Sequence, residues 1–152
     1  MFAKIVACVD SDPPGQHAGS TAVEVAARFK CELILLTVLP WARKDAQPDL
    51  ERLIPMGPEG RTIHQMMEET QNAALARGIP KVETALLRGN PADAILAYLE
   101  KSPPDLVVVG TRGLSRGSRV LLGSVSSRLV TEAPCPVLVV RTVARRAKHT
   151  AA

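Results

Sequence analysis

Aromatic residues are nearly absent: one Trp, one Tyr and two Phe make up 3% of the 152 residues. That scarcity removes the stacking platforms on which single-stranded nucleic-acid binders rely. It also leaves the core to be built from Val, Leu, Ile and Ala. Cysteine is sparse as well. Cys8, Cys31 and Cys135 stand among apolar residues without CxxC spacing. An odd, scattered set supports neither a disulfide framework nor a metal site and reads as three free, packed thiols in a reducing compartment. No apolar stretch approaches the roughly 20 residues that a membrane helix needs. The opening MFAKIVACVDSD reaches acidic residues without an extended apolar segment, so no secretory leader is expected and the expected location is cytoplasmic. Catalytic signatures are equally thin. There is no Gly-Lys-Ser/Thr of a Walker A loop and no GxGxxG after the first strand. His17, His64 and His149 share no ligand spacing with cysteines or acids and are expected as solvated surface residues. Ser115, Ser118 and Ser127 have no evident base, so a hydrolase triad has no support.

What the chain does have is an uneven distribution of charge. The formal net charge is +4, yet residues 110–152 hold eight Arg or Lys against Glu132 alone, while residues 1–109 hold eleven bases and fourteen acids. A basic final third points to an anionic partner. The tail Arg145-Arg146-Ala147-Lys148 reads as a solvated, flexible terminus.

Hydrophobic periodicity supplies the fold. Lys4–Asp10 and Glu32–Leu39 are short apolar runs rich in β-branched residues, as are Val82–Leu87, Asp105–Val109 and Pro136–Arg141. Each reads as a buried strand. Between them lie helical patterns at Ser20–Lys30, Thr62–Arg77, Asn90–Glu100 and Val125–Glu132, with Ser11–Gly19 and Trp41–Gly60 as loops. Asn90 is placed to cap and Pro91 to open the third helix; Met66, Met67 and Leu75 read as core contacts of the second. Strict β-α alternation predicts a doubly wound, Rossmann-like α/β sandwich of three layers around a five-stranded parallel sheet. One domain is expected over residues 1–142, with 143–152 as the basic tail. In such sheets ligands sit beyond the carboxyl ends of the strands, where the strand order reverses.

Two segments fall there. Gly110-Thr-Arg-Gly113 follows the fourth strand directly, and Gly123-Ser-Val-Ser126 opens the last helix. Glycines allow close backbone approach, and a helix start offers unpaired N–H groups at the positive end of its dipole. Ser124 and Ser126 add hydroxyls, and Arg112 and Arg116 add charge. This chemistry suits a polyphosphate; a tight strand-to-helix connection without a ligand is the alternative.

Gly110-x2-Gly113-x9-Gly123-Ser124, with KIVACVD before it and APCPVLVVR after it, resembles the ATP-binding signature of the universal stress protein family. The likeness spans residues 3–141. It implies an adenine nucleotide alpha hydrolase-like fold and a site for ATP with Mg2+ or Mn2+ held through the phosphates. In that site Asp10 would line the adenosine end and Val38 would present backbone to adenine. Gly110, Arg112 and Gly113 would surround ribose and phosphates, and Gly123, Ser124, Val125 and Ser126 would hold the phosphates. No catalytic residue is assigned. The resemblance also implies a homodimer through the C-terminal strand, Val137–Arg141, and an unidentified protein partner. One departure is evident: where many relatives follow the aspartate with Gly-Ser, this chain has Ser11-Asp12-Pro13-Pro14-Gly15. The function implied is a nucleotide-dependent regulatory module. A slow ATPase using the same pocket and an adaptor that binds no nucleotide are the alternatives.

Overall fold

The computed structural model describes residues 2–10, 13–39, 62–111 and 122–141. Five strands, β1 Lys4–Cys8, β2 Glu32–Leu39, β3 Val82–Arg88, β4 Leu106–Gly110 and β5 Val137–Val140, alternate with four helices, α1 Pro13–Phe29, α2 Ile63–Ala76, α3 Pro91–Lys101 and α4 Ser124–Glu132. The sheet is wholly parallel in the order β3-β2-β1-β4-β5. β1 is its central strand, and Ile5, Val6 and Ala7 are fully buried. A strand covered on both faces cannot alternate apolar and polar residues, which is why it reads as a continuous apolar run. Burying one such Ile or Val contributes about 1.5–3 kcal/mol.

The two sheet faces take the two halves of the helix set. Ile5, Ala7, Leu33, Leu35 and Val108 pack against Ala18, Ala22 and Ala26 of α1 and Met67 and Ala74 of α2. Val6, Ile34, Leu36, Val107 and Val109 pack against Ile95, Leu96 and Leu99 of α3 and Leu129 of α4. Among the described residues no helix is long and apolar enough to cross a membrane.

Local signals account for most element ends. Thr62 and Gln65 form a reciprocal capping box at the start of α2, and Asn90 accepts from the Asp93 N–H ahead of Pro91 in α3. Gly78, at φ +82°, follows α2 in the left-handed conformation that stops helices. Two expectations need correction. First, α1 starts at Pro13 rather than Ser20, so the segment read as a loop up to Gly19 is mostly helical. Pro is tolerated in a first helical turn, which lacks intrahelical N–H partners. Gly19 is not a loop glycine but a contact glycine: a Cβ there would lie 2.9 Å from Val9 Cγ1. Second, Leu75 is 47% exposed. The buried stripe of α2 is Ile63, Met67 and Ala74, and Leu75 stands about 100° round the helix from Ala74.

Asp105, just before β4, ties the entry of that strand to β1. Its Oδ2 accepts the N–H groups of Ala3 at 2.8 Å and Lys4 at 2.9 Å. These bonds hold its carboxyl below the usual carboxylate range. The folded state therefore binds this proton less readily than the unfolded chain. The stabilisation is present above the ordinary Asp value near 4 and is lost as pH falls through the lowered folded value. Asp105→Asn should lower Tm at pH 7, and the gap to wild type should narrow as pH falls below the ordinary Asp value of about 4; a pH-independent gap in thermal denaturation would refute that cause. Gly19→Ala should also destabilise, by about 1 kcal/mol. The helix-propensity gain of about 1 kcal/mol is outweighed by overpacking against a stiff, buried Val9. A raised midpoint in urea denaturation would show that Val9 yields instead.

Candidate functional site

Winding from β1 to β2 to β3 and then across to β4 and β5 places the reversal of strand order between β1 and β4. Ala7 pairs with Val108, so continuing that register sets Val9 beside Gly110 and Asp10 beside Thr111. Asp10 is exposed at the β1 end. On the other side of β1, the Val9 N–H donates to the Leu36 carbonyl at 2.8 Å, while the Leu39 carbonyl accepts from Gly89 on the β3 side. Carbonyls alternate along a strand, so the carbonyl of half-buried Val38 turns toward β1. Thr111 donates its N–H to the Val140 carbonyl at 3.0 Å. By the same alternation the backbone of Gly110 turns toward β1. The fold thus brings Asp10, Val38 and Gly110 to one edge of the sheet, with their peptide groups facing the gap.

The fourth element at this edge is the start of α4. Gly123 occupies the N-cap position at φ −74° and ψ 170° and provides no side-chain cap. The first intrahelical bond runs from the Ser127 N–H to the Gly123 carbonyl at 2.9 Å. The amides of Ser124, Val125 and Ser126 precede it and form the orphan donors of the helix start. α2 and α3 each satisfy one such donor with a capping side chain; α4 does not. Ser124 is exposed and Val125 half-buried. Ser126 is 1% exposed, and its hydroxyl donates to the Gly123 carbonyl at 3.1 Å. It shapes the turn from within rather than presenting its proton outward. Arg112, Gly113 and Arg116 lie outside the described residues, as do the tail 143–152 and the 41–60 segment. Gly113-Leu114-Ser115-Arg116-Gly117 does spell the GxSxG letters of a hydrolase elbow. In that elbow the Ser sits on the strand-to-helix turn itself, whereas Ser115 comes five residues after Gly110 and outside the described residues.

Further up α4, Arg128 bonds Glu132 Oε2 at 2.8 Å and also reaches Asp93 in the first turn of α3. This clip is exposed and screened by solvent, but it ties the two helices of this face together. No thiol is prepared as a nucleophile. Burial, with a smaller contribution from Cys135, pushes Cys8 up to about 12. Burial also raises Cys31 and Cys135, and all three are free.

A cleft of about 430 Å³ opens on the opposite face, between α1 and α2, lined by Asp10, Glu24, Met66, Glu69, Thr70 and Arg77 among others. Of the sequence-predicted site residues among the described ones, it includes Asp10 alone.

Two site-edge residues escaped sequence reasoning. Thr37 is 2% exposed and its hydroxyl donates to the Val9 carbonyl at 3.0 Å; Thr111 is 6% exposed. The available signal was a Thr at the carboxyl end of an otherwise apolar strand, at an inward-facing position.

The sequence matches the Universal stress protein family over residues 1–141. A universal stress protein of Methanocaldococcus jannaschii is 31% identical over 151 residues, covering 93% of this chain and 83% of the relative. Among solved structures, a universal stress protein UspA from Lactobacillus plantarum superposes with a TM-score of 0.73 at 29% identity, covering 92% of this chain and 98% of its own. A universal stress protein in complex with cAMP superposes with a TM-score of 0.75 at 26% identity, covering 93% and 99%. With the sheet order, the family match and these relatives in agreement, the chain belongs to the universal stress protein family.

Proposed function

We propose that this chain is an adenine-nucleotide-binding regulatory module whose ligand is ATP, with the phosphates at the start of α4. The observation that carries this reading is the missing cap. A helix start without a side-chain cap lies at the reversal of strand order, next to Gly110, and a phosphate oxygen is the acceptor that such a start takes best. The solved relative in complex with cAMP supports an adenine nucleotide as the ligand. Asp10 then lies at the adenosine end, Val38 offers its carbonyl to the base, and Gly123, Ser124, Val125 and Ser126 offer amides to the phosphates. Arg112 and Gly113 complete the set from the adjoining segment. Among the described residues no group of three or more His, Cys, Asp or Glu converges. Mg2+ or Mn2+ would accordingly be carried by the phosphate oxygens and would supply charge neutralisation there. Occupancy would act on partners, and on the dimer, rather than on a bond to be cleaved; the module works in the cytoplasm.

The dimer is assigned to β5. It is an edge strand of four residues, Val137–Val140, all apolar and all half-buried in one chain. An unpaired apolar edge is a ready template for a second copy.

Isothermal titration of the purified protein with ATP and Mg2+ should give a Kd in the micromolar range, about 8 kcal/mol of binding free energy, with AMP and cAMP as parallel titrants. No saturation by any of the three up to millimolar concentration would sink the reading. Gly123→Val should abolish binding while the far-ultraviolet circular dichroism stays unchanged. Its φ of −74° is open to any residue, so the added side chain obstructs the phosphates and not the backbone. For the dimer, Val139→Pro is the informative change. The Val107 and Thr111 amides bond the Pro136 and Val140 carbonyls, so Val139 turns its N–H to the outer edge, where Pro removes no bond to β4. Light scattering should move from dimer to monomer; a wild-type protein that is monomeric at tens of micromolar would refute the assignment.

A further inference from the structure

We infer that Thr111 is a phosphate-contacting, affinity-determining residue of the nucleotide site; the inference rests on the reading of α4 as the phosphate end. Among the described residues, Thr37, Thr111 and Ser126 are the buried polar ones, and all three stand at the carboxyl edge of the sheet. Two of them are satisfied. Thr37 donates to the Val9 carbonyl and Ser126 to the Gly123 carbonyl, each at a site that finishes or begins an element. The Thr111 hydroxyl has no hydrogen-bond partner among the described residues, although it is 6% exposed. A hydroxyl that deeply buried costs free energy unless an acceptor meets it, and a ligand oxygen is an acceptor that this edge of the sheet can receive.

Its direction follows from the ladder. Val107 and Thr111 both donate their N–H to β5, to the carbonyls of Pro136 and Val140. Residues 107, 109 and 111 are therefore equivalent positions, with side chains on one face of the sheet. Val107 and Val109 pack there against Leu129 and half-buried Val125 of α4. Thr111 is the next position toward the carboxyl edge, beneath the first turn of α4. Ser126, buried on the inner side of that turn, has already committed its proton to Gly123. Thr111 thus brings a hydroxyl proton that no described residue accepts up to the ring of orphan amides of Ser124, Val125 and Ser126. A phosphate oxygen seated on those amides is the acceptor that fits both, and the hydroxyl donates to it. An uncharged ligand group would use the same proton less strongly.

The test compares Thr111→Val, which keeps the shape and removes the hydroxyl, with Thr111→Ser, which keeps the hydroxyl. Each is titrated with ATP and Mg2+, and with inorganic tripolyphosphate as a probe of the phosphate contact alone, and each is melted without ligand. The expected result is a Kd for both titrants weakened about tenfold or more in Thr111→Val and kept within about threefold in Thr111→Ser. The ligand-free Tm of Thr111→Val should be unchanged or raised, since an unsatisfied buried group has been removed. An unchanged Kd in Thr111→Val, beside a wild type that binds, overturns this inference and leaves the function standing. A ligand-free Tm that falls in Thr111→Val shows a structural bond instead and also overturns it. A wild type that binds neither titrant overturns the reading of α4 and this inference together.

Discussion

Everything in this fold is arranged around β1, a strand that must be buried on both faces and hydrogen-bonded on both edges. Ile5, Val6 and Ala7 expose no surface, and β2 and β4 flank them with parallel ladders. A central strand of that kind forces the chain to wind first to one side and then to the other. The reversal opens a gap beyond the carboxyl ends of β1 and β4 that no side chain of the sheet can fill. The helices inherit their places from it. α1 and α2 cover one face, α3 and α4 the other, and α4 begins beside the gap with a glycine and no side chain at its cap. The candidate site is thus a by-product of sheet topology.

The closeness of α1 to the sheet shows how narrow the tolerances are. Gly19 lets the helix ride over Val9, the last buried side chain before Asp10. A bulkier residue there would lift the helix or turn Val9, and either shift acts on the neighbouring Asp10. The buried hydroxyl of Thr37 fastens the same spot from the other side through the Val9 carbonyl. Both contacts fix backbone direction at the end of β1.

The strands were legible in the sequence because burial on both faces leaves one unambiguous pattern, a run such as ELILLTVL ending at a proline. A helix start was legible where a cap announced it, as with Asn90. Helix starts were hidden where chemistry and packing pulled apart. Pro13, Pro14, Gly15 and Gly19 look like loop residues, yet the first helix begins among them, because prolines suit a first turn and a glycine suits a close crossing. At the site, the glycine spacing marked Gly110 and Gly123, but the inward face of Thr111 emerges only from the pairing of β4 with β5. Ser126 likewise carries a hydroxyl that looks free in the sequence and is spent on its own turn in the fold.

The bonds from Ala3 and Lys4 to Asp105 join residues 102 and 101 positions apart. During synthesis, the edge of β1 that faces β4 therefore stays unpaired until about a hundred more residues have been added, roughly 5–20 s at ribosomal rates. For that interval the central strand of the sheet has one partner instead of two, and its open edge is a part of the nascent chain in need of protection. A strand placed at the centre of a fold and ahead of most of its partners in sequence makes the synthesis of β4 and β5 the steps that close the core.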